Sequence, residues 1–161
     1  MKVRVDGPHL AIMPSGEVVI VFKERGGNRW ITILLNDLTL HYLSIAVNKV
    51  QTARPTPYHL IANCINTLGS SLEEVVIDNF KDNIYHAHLY IKSGENRDLL
   101  AIDAHVTDAV IVAAIENCAV YVTEDVFKLT EEADQNESRD NDTATANSVF
   151  EKVDWDKAPK V

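Results

Sequence analysis

The sequence predicts an α+β domain of two layers, in which a mixed β-sheet packs against helices. Short runs rich in β-branched residues have the length of strands, and longer apolar stretches repeat close to the helical period. The helical stretches are flanked by strand-like runs, an order that predicts a sheet covered by helices. With 161 residues and 46% hydrophobic content, the chain is long enough to bury one core.

The first region, up to residue 54, predicts two paired strands followed by a helix. Apolar runs at Leu10–Met13 and Val18–Phe22 precede a third run, Trp30–Leu35, and a Gly-Gly-Asn turn separates the last two. Asn36 and Asp37 are residue types that cap helices, and apolar side chains recur close to the helical period up to residue 50. We therefore expect a β-hairpin and then a helix.

A second helix is predicted to begin at the prolines in positions 55 and 57. Proline is favoured in the first turn of a helix, and Gly69 is of the type that ends one. The apolar residues between them recur at helical spacing and are Leu60, Ile61, Cys64, Ile65 and Leu68. We expect them to form a buried stripe along this helix.

A second hairpin is predicted from the runs Leu72–Phe80 and Ile84–Ile91, which a short polar break separates. The second run alternates between apolar and polar positions. One face of its strand carries His86, His88 and Tyr90, and the other carries Tyr85, Ala87, Leu89 and Ile91. We expect the apolar face of this strand to lie against the core.

Three further elements are predicted after this hairpin. The run Leu99–Ile102 has the composition of a strand, and Asp103 closes it. Thr107 and Asp108 then begin an apolar helix, and Ala119–Val122 follows as a short strand.

The composition changes beyond Lys128. Residues 129–161 contain nine acidic and four basic residues, a net charge of -5, whereas residues 1–128 contain fifteen and eleven, a net charge of -4. From Glu131 to Asn147 the only apolar residues are alanines, too little apolar surface to offset the entropy of ordering the chain. We predict a domain over residues 1–128 and an acidic, disordered tail over residues 129–161. A short apolar patch, Val149–Trp155, either stays solvated or docks on the domain or a partner.

The composition predicts a cytoplasmic protein without a membrane anchor. No apolar run reaches the roughly 18 residues that a membrane span needs, and no signal peptide is recognisable. Cys64 and Cys118 lack the spacing of a metal site, and we expect both to be buried, reduced thiols. The net charge of -9 repels phosphate backbones unless a basic patch or a divalent metal ion intervenes.

Five segments resemble the bifunctional nuclease domain family, in the order and spacing of that family. They are Arg54–Leu60, Val75–Asn83, Tyr85–Ile91, Ile102–Ala109 and Ala119–Phe127. The fourth segment reads Ile-Asp-Ala-His-Val-Thr-Asp-Ala, where the family form is Ile-Asp-Ala-Arg-Pro-Ser-Asp-Ala. The resemblance implies hydrolysis of phosphodiester bonds in DNA and RNA, with little base specificity.

Three departures from the family pattern leave a second function open. Leu34–Thr39 lacks the glycine and the glutamate of the family, and Tyr58 stands in the place of its histidine. His105 and Val106 replace its Arg-Pro pair. The alternative is therefore a catalytically inactive binding or regulatory module of the same fold, acting as a homo-oligomer.

The candidate catalytic residues lie in the fourth segment. Hydrolysis needs an activated water, charge neutralisation at the phosphate and help for the leaving oxygen, and Mg²⁺ or Mn²⁺ held by carboxylates supplies all three. Asp103 and Asp108 are the candidate catalytic and metal-binding carboxylates, unless they only cap the turn and the helix. His105 is a candidate acid, base or ligand, or else an exposed loop histidine.

The candidate substrate-binding residues are Arg54 and His59. Arg54 belongs to a positive cluster with Lys23, Arg25 and Arg29, which suits phosphate contacts or simply a solvated hairpin end. His59 lies one position after the place of the family's histidine. The pair His86 and His88 is a possible zinc site without a recognisable third ligand, and a solvated strand face is the alternative.

We also expect self-association, because exposed strands and an apolar helix face suit contacts between copies of a chain. A homo-oligomer is predicted, with a dimer favoured.

Overall fold

The structure, a computed structural model, describes residues 1–94 and 96–140, with side chains in the last helix described up to residue 133. Its elements are β1 (Lys2–Ile12), β2 (Val18–Glu24), β3 (Trp30–Leu34), α1 (Asp37–Val47), α2 (Pro57–Thr67), β4 (Ser71–Lys81), β5 (Ile84–Lys92), β6 (Leu99–His105), α3 (Val106–Glu116), β7 (Ala119–Thr123) and α4 (Glu124–Asp140). The strands form one sheet in the order β3-β2-β1-β7-β4-β5-β6. The pair β4–β7 is parallel and the other pairs are antiparallel, so the predicted α+β class with a mixed sheet is confirmed.

Both predicted hairpins are present, as β2–β3 and β4–β5. The first strand is much longer than the apolar run at Leu10–Met13 indicated, because it begins at Lys2. Its early part alternates valines with charged residues, a period-two pattern that a search for continuous apolar runs does not find. Through this part β1 pairs with β7 and joins the two halves of the sheet.

The centre of the core is α3, whose first two turns are buried on every side except at Asp108. It lies on β4 and β5, where Val75, Ile77 and Ala87 are fully buried. β6 continues to His105, and α3 begins at the next residue. The prediction that this strand ends at Asp103 is therefore wrong. The first helix agrees with the prediction, since Asn36 and Thr39 form a capping box at its start.

The buried stripe predicted for α2 is wrong. Only Ala62 is buried in this helix, whereas Leu60 is 58% exposed, Ile61 42% and Leu68 79%. The other two stripe residues, Cys64 and Ile65, are exposed and half-buried. The helix contacts α3 partly through polar side chains on another face, and this contact turns most of the stripe outward.

The two cysteines are free, as predicted, but they are not both buried. Cys64 is exposed because it belongs to the outward face of α2, and Cys118 is half-buried.

The last helix, α4, continues to Asp140, across the predicted boundary at Lys128 and into the segment expected to be disordered. Phe127 is buried, and the hydroxyl of the buried Thr130 donates to the Val126 carbonyl at 3.0 Å. Residues 141–161, including the patch Val149–Trp155, lie outside the described residues. None of the helices in the described ranges is both long and apolar enough to cross a membrane.

Candidate functional site

The face of the sheet opposite α3, here called the outer face, carries a row of residues from five neighbouring strands. Each residue of this row is the registered partner of the next. From β1 to β6 the residues are Arg4, Tyr121, Val76, His88 and Asp103. Side chains of directly paired residues lie on the same face of a sheet, about 5 Å apart. The burial of Ala87 and Leu89 on the opposite face of β5 confirms the predicted alternation along this strand.

Within this row, His88 forms a side-chain hydrogen bond with Asp78. The distance from His88 Nδ1 to the Asp78 carboxylate is 2.7 Å, and both side chains are about a third exposed or less. An ionised carboxylate only accepts hydrogen bonds, so Nδ1 carries the proton, and Nε2 is the acceptor of the neutral imidazole. Asp78 lies on the same face as Val76, the registered partner of His88, and the β4–β5 register shifts between Ile77 and Asn79.

Two of the predicted catalytic residues lie beside this pair, on β6. Asp103 is the registered partner of His88, and His105 is the partner of His86. The Nδ1 atom of His105 lies 2.9 Å from the Thr107 hydroxyl, which holds its ring. Asp78, His86, His88, Asp103 and His105 are hereafter the outer-face cluster.

The third predicted catalytic residue, Asp108, lies on the helix side of the sheet. The Tyr58 hydroxyl donates to its carboxylate at 2.7 Å, and this bond joins α2 to α3. Burial and the hydrogen bond to Asp108 raise the pKa of Tyr58 to about 12. The carboxylate of Asp108 therefore has a structural partner.

The structure places Asp103 and Asp108, the two candidate metal-binding carboxylates, on opposite sides of the sheet. One lies on the outer face and the other at the start of α3, bonded to α2. Among the described residues, no group of three or more His, Cys, Asp or Glu side chains is arranged to hold a metal ion.

The predicted substrate-binding residues also lie on the helix side. Arg54 is exposed in the connection between α1 and α2. His59 is in the first turn of α2, with Nδ1 2.7 Å from the Thr56 hydroxyl, and it lines a cleft of about 530 Å³ with Lys49. Arg54 and His59 thus lie on the helix side, as Asp108 does, whereas Asp103 and His105 are the registered partners of His88 and His86.

The basic cluster predicted at the first hairpin is largely neutralised by carboxylates. Arg25 donates to Asp6 at 2.6 Å. Arg29 bonds to Glu24 at 2.8 Å and to Glu124 at 2.7 Å, and these hydrogen bonds raise the pKa of its guanidinium. These two arginines are therefore paired with carboxylates in the folded protein.

The sequence did not single out Asp78, although it stands in the family-like segment Val75–Asn83. Asp78 lies two residues after Val76, the registered partner of His88, so its hydrogen bond to His88 depends on the β4–β5 register, which the sequence does not show. One sequence pattern could have indicated Asp78. It is an aspartate in one strand of a predicted hairpin, opposite a strand that carries two histidines on one face.

The comparisons with known proteins relate this chain to one family. A family model described as the bifunctional nuclease domain matches residues 20–135. An uncharacterised protein of Mycobacterium tuberculosis is 26% identical over 126 residues, which cover 78% of this chain and 73% of that protein. Bifunctional nuclease 2 of Arabidopsis thaliana is 27% identical over 108 residues, or 66% of this chain, and Bifunctional nuclease 2 of Oryza sativa subsp. japonica is 25% identical over 107 residues, also 66%. The matched segments span 33% and 32% of those two plant proteins. Because the family model matches most of the chain, this protein belongs to the bifunctional nuclease domain family.

Proposed function

We propose that the protein hydrolyses phosphodiester bonds in DNA and RNA with little base preference, and that the outer-face cluster carries the reaction. The observation that supports this site is the 2.7 Å hydrogen bond between His88 and Asp78, which prepares an imidazole to accept a proton. Family membership and the printed names of the plant relatives support a nuclease.

In this proposal, His88 is the general base. Its Nε2 removes a proton from a water molecule, while Asp78 keeps the imidazole in the correct tautomer and stabilises the imidazolium that forms. The water oxygen forms a bond to phosphorus as the bond to the leaving oxygen breaks. The partly exposed outer face gives water and a polymer access to Nε2.

The leaving oxygen needs a proton, and His105 is the proposed general acid. It lies at the edge of the cluster, and the Thr107 hydroxyl fixes the orientation of its ring. Its registered partner His86 provides a second imidazole on the same face. Two imidazoles with opposite protonation states supply acid and base in one site near neutral pH.

Positive charge for the substrate comes from β1. Arg4 is three strands away from His88 in the same row, which corresponds to about 14 Å at the usual strand spacing. At this distance it suits a phosphate next to the scissile one, and it orients the strand rather than the reacting group.

The test is cleavage of labelled single-stranded DNA and RNA by the purified protein, with Mg²⁺, with Mn²⁺ and with EDTA. We expect His88→Gln to lower the rate roughly 10²- to 10⁴-fold, the usual contribution of a positioned acid or base. Asp78→Asn should also slow cleavage, and Asp103→Ala should slow it more than Asp108→Asn does. His41→Gln, at an exposed histidine of α1, is the matched control and should keep the parent rate.

Two results would remove this proposal. If His88→Gln cleaves as fast as the parent, the outer-face cluster is not the site. If the parent is inert in all three conditions, the inactive binding module becomes the better description, and a gel-shift assay shows whether it binds nucleic acid. The EDTA condition also tests the metal requirement expected from the sequence.

A further inference from the structure

We infer that a pocket beside His105 holds one unpaired nucleobase of the substrate, next to the phosphate that is cleaved. This cavity, called here the edge pocket, has a volume of about 560 Å³, which is within the usual range of small-molecule sites. Its lining includes Thr32 of β3, Phe80 and Tyr85 of the β4–β5 hairpin, and His105. The inference rests on the proposed function, because His105 belongs to the outer-face cluster.

One wall of the edge pocket is the edge of β3 that faces away from β2. All five residues of this strand, Trp30–Leu34, line the pocket, so the pocket borders the backbone as well as the side chains. Arg29 and Leu35, just outside the two ends of β3, bond to the backbone of β2 at 2.8 and 2.9 Å. Hydrogen-bonded positions alternate along an antiparallel pair, so Thr32, three residues from each, directs its N–H and C=O away from β2. Thr32 therefore offers one backbone donor and one backbone acceptor to the occupant of the pocket.

A second wall of the edge pocket is aromatic. Phe80 and Tyr85 are registered partners in the β4–β5 hairpin, and their ring centroids are 4.6 Å apart at an interplanar angle of 41°. Trp30 adds a third aromatic side chain to the lining. Aromatic side chains bind unpaired bases by stacking, a contact that every base can make because each has a flat π-face. This wall suits a planar heterocycle.

The charges of the lining favour a base over a phosphate group. Among the described residues that line the edge pocket, Glu17 is the only carboxylate, and there is no lysine or arginine. A phosphate in the pocket would lack a positive partner, whereas a base is neutral. The Watson–Crick edge of each base carries both a donor and an acceptor, so the backbone groups of Thr32 can bond to any of them. The pocket is thus compatible with cleavage of little base preference.

His105 connects the edge pocket to the proposed reaction site. It is the last residue of β6, it lines the pocket, and it is the registered partner of His86 in the outer-face cluster. A base in the pocket brings the sugar and phosphate of its own nucleotide to His105, where the leaving oxygen needs a proton. A base inside a duplex is covered by its pair and its stacked neighbours, so the occupant comes from an unpaired strand.

The test is equilibrium binding of a labelled deoxythymidine oligonucleotide to the full chain in EDTA, with the strand checked for cleavage on a gel. The comparison is an abasic strand of equal length, which keeps every phosphate and lacks the bases. We expect the abasic strand to bind roughly 5- to 150-fold more weakly, the usual contribution of one stacked base. Phe80→Leu should weaken binding of the thymidine strand roughly fivefold or more and leave the abasic strand unchanged. Tyr42→Leu, at a half-buried aromatic of α1 outside the pocket, is the matched control and should bind both strands like the parent.

Photocrosslinking of the parent locates the base without any variant. A strand that carries 5-iodouracil should crosslink to peptides containing residues 30–34 or 80–85. Crosslinks confined to other peptides, equal affinity for the two strands, or no binding of either strand would each overturn the inference. So would a Phe80→Leu variant that is folded by circular dichroism and binds thymidine like the parent.

The same measurements separate the edge pocket from the proposed function. A parent that binds the base as expected but cleaves nothing would refute the nuclease and keep the pocket as a base-binding site. A parent that cleaves DNA but binds thymidine and abasic strands equally would refute the pocket alone.

Discussion

Replacement of Arg29 by methionine tests whether this arginine holds the fold or contacts substrate. The side chain connects the β2–β3 hairpin to the start of α4, since it donates two hydrogen bonds to Glu24 and two to Glu124. Its guanidinium also lies 4.4 Å from the centre of the Phe127 ring. Methionine keeps most of the aliphatic stem and removes these contacts.

The structure gives the expected magnitude of this change. The hydrogen bonds to Glu24, whose side chain is only 19% exposed, contribute about 1.5 kcal/mol, at the low end for a charged partner. The contact with Phe127 adds about 0.5 kcal/mol. The free energy of unfolding should therefore fall by about 2 kcal/mol, or about 4–8 °C in Tm for a chain of this size.

The assay is urea denaturation at several pH values, with Arg25→Met as the matched control. The Arg25–Asp6 pair is more exposed, at 53% and 40%, so its loss should lower the free energy of unfolding much less than the loss of Arg29 does. Hydrogen bonds from Arg29 lower the pKa of both Glu24 and Glu124 in the folded protein. A lowered folded pKa stabilises the protein above the unfolded value and loses this effect as the pH falls through the folded value. The deficit of Arg29→Met should thus be full at pH 7 and shrink below the ordinary carboxyl pKa of 4.5.

An Arg29→Met variant as stable as the parent at pH 7 would refute this reasoning. An unchanged stability with a weaker affinity for nucleic acid would return Arg29 to the phosphate contact suggested by the sequence. A deficit that is independent of pH would show that the two carboxylates are not its partners.

Two further predictions concern the helix side of the molecule. Burial raises the pKa of the Cys118 thiol to about 11. Iodoacetamide at pH 8 should therefore alkylate the exposed Cys64 before Cys118. Equal alkylation rates for the two cysteines, measured by peptide mass spectrometry, would contradict this prediction. Tyr58→Phe should lower the free energy of unfolding by about 1 kcal/mol, through the lost hydrogen bond to Asp108, while a calorimetric Tm unchanged from the parent would contradict that role. The same variant should cleave nucleic acid at the parent rate.

The elements of the fold were predictable wherever local patterns decide them. Alternation on β5, the cap at Asn36 and the apolar run of α3 each depend on neighbouring residues. The exposure of the α2 stripe was not predictable in the same way. Its residues recur at the helical period typical of a buried face, and yet most of them are exposed. Which face of a helix is covered depends on its neighbours, and α3 contacts α2 on a different face from Leu60 and Leu68.

The candidate site was only partly predictable from the sequence. The sequence alone shows two pairs of residues spaced two apart, so that each pair shares one face of a strand. They are His86 with His88 and Asp103 with His105. Their meeting on one face depends on the register of β5 and β6. Asp108 was grouped with Asp103 because the two are only five positions apart, but the chain turns from strand into helix at His105 and the two carboxylates lie on different sides of the sheet.

The position of β7 has a consequence for how the chain folds. The sheet consists of two sequence-local groups, β3-β2-β1 and β4-β5-β6, and β7 lies between them although it comes last in the chain. Neither group can join the other until Ala119–Thr123 has been synthesised and inserted, with contacts back to Lys2 and Arg4. Long-range pairing of this kind slows folding. A chain that stops before residue 119 would therefore leave two separate three-stranded sheets, each with an open edge where β7 belongs.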